Sequence, residues 1–536
     1  MSWSDAIGNM SYLVSAQYGP YNRGNQVERF DEYLAPLDDE LTEFREIDVP
    51  MLNSALVLNG STSWTFDSGA LLNLNARIAD RDEDRTETTR VFLANDPDVT
   101  TLEERSLEEG LDWELGGDFE QRFGPGTLQT RAIYTHKDED DTQRISQTST
   151  DSGNVPAQSQ VETAAVATEA ILRGSYSWPL TAAQNLELGI EGARNTLEKD
   201  VALYEVLPDG TLVPVQLFNA DSDVNEDRFE FFSTHFWQLR DDLVLESALN
   251  IEHSKIAQEG LDVENARSFT YLKPRFDLRW DLSDSDQVRS SLERTVSQLD
   301  FGDFVANFDS DNDQVAAGNP ELEPEKAWEY QLTYERRLPD DTGLLSAQLF
   351  YNDIEDHIDN IRVADNVSAA GNIGDAERYG LTLKGSLRLE GLGLEGAVLD
   401  ASYTVQDSET VDPFVGTPRK MSNVRDQEYR INFRHDIAAW RFNYNIEVNW
   451  DGDSRRNDIT YRQISAKESP NTHLNMQYRL TDRIVLWFDT RLVFDGHSQR
   501  TRRLYVDDVA DDNLLRTEVR DQYFRRELIL GLRGQF

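Results

Sequence analysis

Few side chains in this sequence are spaced for covalent chemistry. There is no Cys, which removes disulfides, thiol nucleophiles and thiolate metal sites. The seven His residues are scattered, with no His-x-x-x-His pair. No Gly-x-Ser-x-Gly elbow marks a serine nucleophile. Two acidic groups have ligand chemistry. Asp309-Ser-Asp-Asn-Asp313 opens like a calcium loop, but Gln314 stands where such a loop turns on Gly, and Pro320 where it needs a bidentate Glu. A solvated loop fits better. Asp353, Glu355, Asp356, His357 and Asp359 form the second group, which strand alternation would split between two faces. Neither catalysis nor a resident metal or cofactor is expected. Arg500, Arg502 and Arg503, and Arg455 with Arg456, are local basic clusters that could meet an anion.

Charge narrows the partners. Lys plus Arg is 52 against 99 Asp plus Glu, a net charge of −47. A nucleic-acid backbone wants a basic stripe, so nucleic acid is not expected. Docking on an anionic leaflet is disfavoured for the same reason. Acid runs such as Asp80-Arg-Asp-Glu-Asp84 and Asp138-Glu-Asp-Asp141 are expected in long loops. Solubility in a saline habitat explains them; attraction of a cationic ligand, or of divalent ions that bridge lipopolysaccharide, is the functional alternative. A field this negative repels anionic ferric chelates unless Arg clusters offset it.

The elements that must position these groups read as strands. The hydrophobic fraction is only 38%, yet there are 10 Trp, 19 Tyr and 24 Phe, more aromatic content than a disordered chain carries. Period-two alternation dominates. Leu111, Trp113, Leu115, Gly117 and Phe119 alternate with acids and Gly, and Trp328, Tyr330, Leu332 and Tyr334 with Glu, Gln and Thr. Trp440 to Trp450 and Leu474 to Leu480 do the same. Each pattern implies a strand with one apolar and one polar face. No stretch is long and apolar enough for a transmembrane helix. Met1-Ser-Trp-Ser-Asp-Ala6 does not read as a signal peptide, so an exported precursor would begin upstream.

Short turns, such as Phe66–Gly69, Gly124–Gly126 and Leu480–Arg483, alternate with long polar segments near 80–110, 137–163, 197–227, 298–326, 353–377, 407–427, 451–469 and 495–522. The tally is about twenty strands, with both termini on the short-turn side, as in an up-and-down sheet closed into a barrel. A soluble sandwich also alternates, but its strands average ~5–6 residues. Trp440 and Trp450 share a face ten residues apart, ~24 Å of rise at a tilt of ~45°, close to the ~25 Å apolar band between two aromatic girdles. A lumen filled with water or polar surface also explains the low apolar content. The fold class expected is therefore all-β, a large antiparallel transmembrane β-barrel of about 20–22 strands, with short periplasmic turns and long extracellular loops.

At the C-terminus Leu528, Leu530, Leu532 and Phe536 share one face while Glu527, Arg533 and Gln535 take the other. This final strand resembles the sorting signal of bacterial outer-membrane barrels. Gly318-Asn-Pro-Glu-Leu-Glu-Pro-Glu-Lys-Ala-Trp-Glu-Tyr330 resembles the signature that leads into a barrel strand in TonB-dependent receptors. Arg289-Ser-Ser-Leu-Glu-Arg294 and Asp300-Phe-Gly-Asp-Phe304 lie before it. Phe350-Tyr-Asn-Asp-Ile-Glu-Asp-His-Ile358 and Asn372-Ile-Gly-Asp-Ala-Glu-Arg-Tyr-Gly380 follow in the family's order. The resemblance implies a barrel of about 22 strands, a plug in its lumen and coupling to the TonB complex of the inner membrane. Residues 1–536 read as barrel throughout; neither a plug domain nor a signal peptide is read in them, and any hairpin missing from the tally is expected within 19–53 or upstream.

The expected function is that of an outer-membrane receptor and transporter for a scarce small-molecule solute: an iron chelate, cobalamin, a carbohydrate or similar. Expected partners are the TonB complex, the barrel-assembly machinery and lipopolysaccharide, with the protein a monomer in the outer membrane. A passive diffusion pore and a soluble carbohydrate-binding β-protein are the alternatives.

Overall fold

The computed structural model describes residues 1–19, 27–149, 158–207, 209–216, 220–260, 263–309, 314–364 and 367–534. Its secondary structure is antiparallel strand with five short 3-10 turns among these residues. Twenty successive antiparallel pairings lead from Ser2–Ile7 to Glu527–Gly534, so the wall has 21 strands. This is a large antiparallel β-barrel architecture, as the alternation implies. Among the described residues no ladder joins the first wall strand to the last.

Three expectations need correction. First, Ser2–Ile7 pairs with Met10–Gly19 through a turn at Gly8 and Asn9, adding a strand before the one read as leading. Ser2 stands opposite Ser15, partway along that neighbour, and the C-terminal strand Glu527–Gly534 runs toward the short-turn end. Second, Trp440 is not in the ladder. It closes the 3-10 turn Ala438–Trp440, and Arg441 takes a left-handed φ of 53° before the strand Phe442–Asp451 begins. The lower aromatic position on that strand belongs to Phe442, with Trp450 at the upper end stacked on Tyr429 at 5.7 Å.

Third, the acid runs lie in strands. Leu71–Leu93, Val99–Phe123, Gly126–Ser149, Gln158–Thr181 and Gln184–Val206 run for 23 to 25 residues, more than twice what a tilted strand needs to cross a bilayer. Asp80–Asp84 and Asp138–Asp141 sit where those strands continue beyond the apolar belt. Such segments remain strand because neighbouring backbones satisfy each other's N–H and C=O groups while side chains of both faces reach water. The later long connections do leave the wall: 297–306 and 317–325 are irregular apart from the turn Phe301–Phe304, and Ile358–Ala364 with Val367–Asn372 forms a separate hairpin.

Residues 19–53 do hold a hairpin, Val27–Leu34 with Leu41–Val49, but it does not add two spanning strands. It stands at the long-connection end. One strand pairs with Leu514–Phe524, from Val27↔Phe524 to Leu34↔Thr517, and the other pairs with the upper part of Leu71–Leu93. The ladder continues through Gly496–Tyr505 to Tyr461–Lys467. The N- and C-terminal parts of the sheet are thus hydrogen-bonded to each other at this end.

The faces are assigned by what covers them. Val224 and Ile256 bury against Phe304, Val305 and Leu322 of the inward-folded segments 297–306 and 318–325, so their side of the sheet is the interior. The opposite side carries Phe229, Phe231 and Ile251, all exposed, and the belt continues around the wall as Tyr330↔Tyr351, Leu332↔Leu349, Tyr403↔Tyr429 and Ile446↔Leu474. The inner face carries Gln331, Gln348, Arg430, Asn445 and similar groups. An apolar belt outside and a polar interior are what a membrane-spanning barrel requires.

Candidate functional site

Two constellations at the long-connection end organise the interior. The first is built by the Gly318–Glu325 segment. Leu322, 1% exposed, is the knob that fills the cluster of Val224, Ile256, Phe304 and Val305. A Cβ at Gly318 would overlap the Phe304 carbonyl oxygen, so only Gly lets the two loops touch. Asn319 donates from its backbone to Asp303 O at 2.8 Å and from its side chain to Ala370 O at 2.8 Å, and its Oδ1 accepts from Glu321 N. Asn372 returns the contact: its Oδ1 accepts from Glu323 N at 2.9 Å, and its Nδ2 donates to the carbonyls of Glu323 and Asp356. Pro320 and Pro324 cannot donate, which keeps the segment out of a sheet. Glu325 accepts from the His357 ring at 2.6 Å and from Ile358 N at 3.1 Å. The residues that carry the family resemblance therefore pin segments 297–306 and 318–325 to one another and to both ends of the hairpin formed by Ile358–Ala364 and Val367–Asn372. Asp300 adds a cap, accepting from Gly302 N at 2.8 Å at the turn Phe301–Phe304.

The second constellation lies on the inner face of the hairpin seam. Arg520 donates to Asp31 from Nε and Nη2, both at 2.9 Å, across 489 residues of sequence. Arg29 contacts Glu87 at 2.9 Å and Asp31 at 3.7 Å. Glu518 lies 2.7 Å from Arg516 and 3.8 Å from Arg502. Arg45 and Arg516 flank the Tyr33 ring, each 4.7 Å from its centroid. Arg29, Asp31, Glu87, Arg502, Glu518 and Arg520 are all buried. Arg500 stands directly opposite Arg520; burial first, then the Arg520 and Arg502 guanidiniums, pull its pKa down to about 10. Ion pairs this buried hold the seam in one register, because an unmatched partner would be stranded without water.

Of the basic clusters read from sequence, Arg500 and Arg502 face this interior seam, whereas Arg503, Arg455 and Arg456 are exposed. The structure thus splits the clusters. It also adds Arg29, Arg45, Arg516 and Arg520, which sequence reading missed. The signal was there as charge alternating at period two in Arg29-x-Asp31-x-Tyr33 and Arg516-x-Glu518-x-Arg520, but nothing local says that these strands pair.

The acidic groups disperse. Asp359 and Asp412 both contact Arg419, at 2.8 and 3.1 Å; Glu355 pairs with Arg294 at 2.7 Å; Asp356 pairs with Lys326. Among the described residues no group of three His, Asp or Glu could hold a metal ion. Most of the calcium-like segment, 310–313, lies outside the described residues. Beyond the belt, Glu83, Glu108 and Asp141 are directly adjacent across three strands on the inner face. Burial, reinforced by neighbouring carboxylates, raises the pKa of Glu108 and of Asp141. Lower on the inner wall, a recess of about 530 Å³ is lined by residues that include Thr333, Gln348, Thr382, Lys384, Ser402 and Arg430.

At the last strand, Leu528, Leu530 and Leu532 face outward opposite Thr490, Phe488 and Leu486, within the belt. Phe536 lies outside the described residues.

A family model described as "TonB dependent receptor-like, beta-barrel" matches residues 46–514. No curated protein matches the chain. Among solved structures it is similar to the ferripyoverdine receptor of the outer membrane of Pseudomonas aeruginosa, at 12% identity and a TM-score of 0.57 over 97% of this chain and 76% of that one. The ferric-catecholate import receptor Fiu from K12 E. coli is similar at 9% identity and a TM-score of 0.54, over 95% and 82%. The copper transporter OprC is similar at 13% and 0.54, over 96% and 86%. At these identities the likeness speaks for the fold, while the family match covers most of the sequence: the chain belongs to the TonB-dependent receptor-like β-barrel family.

Proposed function

We propose that this chain forms the wall of an outer-membrane transporter that captures a scarce small-molecule solute at its long-connection end and admits it to the periplasm, energised through the TonB complex. The observation that carries the reading is the continuous apolar belt around a polar interior, with a vestibule of extended strands above it. The solute is bound and moved, not transformed. In this reading a plug occupies the lumen and yields when TonB pulls on it.

The solute class is an iron or other metal chelate, cobalamin or an oligosaccharide. An anionic part of it would be met by exposed arginines such as Arg456, since Arg502 and Arg520 are buried in ion pairs of their own. Leu528, Leu530, Leu532 and Phe536 serve as the signal read by the barrel-assembly machinery, and the protein works as a monomer.

The test is direct. The purified chain should require detergent and show β-type circular dichroism; a monomer soluble without detergent refutes the reading. Deleting Phe536 should impair membrane assembly. A large steady current from the full gene product in a planar bilayer would point to a passive pore instead.

A further inference from the structure

Close to the short-turn end, the inner-wall recess of about 530 Å³ is laid out as two rows across four strands. The pairings Ser346↔Lys384, Lys384↔Ser402 and Ser402↔Arg430 make the row farther from the turns. The pairings Leu344↔Ser386, Ser386↔Asp400 and Asp400↔Asn432 make the row nearer to them. Neighbouring strands lie ~4.8 Å apart, and the rows, two residues apart, ~7 Å. Small serine side chains form the floor, and the longer side chains form the rim. The two rows differ in chemistry. The first offers donors, with the Lys384 ammonium and the Arg430 guanidinium on either side of the Ser402 hydroxyl. Glu335, beyond Ser346, closes the far end of that row with a negative charge. The second row offers acceptors, the Asp400 carboxylate and the neighbouring Asn432, whose Oδ1 is buried and takes no hydrogen bond among the described residues. Among the same residues Lys384, Arg430 and Asp400 form no ion pair, on a wall where Arg173, Arg228, Lys273 and Arg275 each hold a glutamate.

We infer that this recess binds the amino-acid end of a small zwitterionic solute. The α-carboxylate lies between Lys384 and Arg430 above Ser402, the ammonium on Asp400 and Asn432 Oδ1, and the apolar side chain over Ser386 against Leu344. A plain anion would face Asp400 and leave Asn432 Oδ1 unanswered. A plain cation would face Lys384 and Arg430. A molecule that carries both charges on one carbon gives each row the partner it lacks, and the wrong sign at either row costs affinity. Lys384 and Arg430 are exposed, so the grip is weak, as a site from which a solute must leave requires. The inference deepens the transport reading above and rests on it: the recess borders the solute's path because this face of the sheet is the interior, and its place near the short turns makes it a site of release to the periplasm.

The test is isothermal titration calorimetry of the full chain in detergent with L-leucine, with N-acetyl-L-leucine, which lacks the ammonium, and with L-leucinamide, which lacks the carboxylate. The wild type should bind L-leucine, and each derivative about 10-fold more weakly, the scale of one lost hydrogen bond between charged groups. Arg430→Ala should weaken L-leucine about 10-fold without weakening L-leucinamide. Asp400→Asn should weaken L-leucine without weakening N-acetyl-L-leucine. That charge-matched pattern is one that a misfolded variant would not produce, and circular dichroism checks the fold directly. No binding of L-leucine, equal binding of the three probes, or unchanged affinity in both variants overturns the site. The transport reading fails separately, by solubility without detergent.

Discussion

Replacing Asp31 by Ala removes the carboxylate that Arg520 grips from two nitrogens and that Arg29 approaches at 3.7 Å. Both arginines stay buried, with Arg500 opposite Arg520 and Arg45 opposite position 31. Breaking a buried pair from one side costs about 3–5 kcal/mol, because the remaining charge is stranded. That cost falls on the ladder between Val27–Leu34 and Leu514–Phe524. At about 1.4 kcal/mol per decade, hydrogen-exchange protection of those amides should fall by about two to four orders of magnitude. The wall strand Gly343–Glu355 should keep its protection. Replacing both partners, Asp31→Leu with Arg520→Met, should cost much less than Asp31→Ala alone, since neither charge is then left over. Unchanged protection of residues 27–34 and 517–524 in Asp31→Ala would refute the claim that these ion pairs lock the seam.

Leu322→Ala should cost about 2–5 kcal/mol of local stability, read as faster proteolysis within 297–325 while the wall remains intact. Gly318→Ala should release the same loops by forcing a methyl into the Phe304 carbonyl, at about 1–3 kcal/mol; a crystal structure with those loops unmoved would count against it. Glu108→Gln should stabilise the vestibule near neutral pH by about 0.2–1 kcal/mol, the scale of facing like charges. The sign follows from the raised pKa of Glu108: the folded state prefers the protonated carboxyl, so the penalty exists above its folded pKa and fades as the pH drops through it. Thermal unfolding in detergent should show the gain at pH 7 and little at pH 4.

Strand alternation made the wall legible, because a sheet between lipid and water leaves its period in every strand. The short turns fell where Gly, Asp and Asn allow them, as at Gly124 and Asp340, both with positive φ. Three things were not legible. The acidic stretches beyond the belt look like loops, because with water on both faces their strands lose the apolar half of the pattern. Trp440 continues the alternation of its neighbours, and only the backbone at Arg441 ends it. The seam depends on Asp31 meeting Arg520, a pairing that no local window contains. The Asn-Pro-Glu-Leu-Glu-Pro-Glu signature was visible as a pattern, whereas its work as a fastener of two segments and a hairpin became visible only with Asn372 and His357 beside it.

The long strands Leu71–Leu93 and Val99–Phe123 leave only residues 94–98 as the turn at their summit. For anything approaching from outside the cell, the accessible surface is a set of side chains drawn from several neighbouring strands. Antibodies raised against linear peptides from this region should fail to recognise the native receptor, and an epitope tag is best tolerated when inserted at residues 95–97.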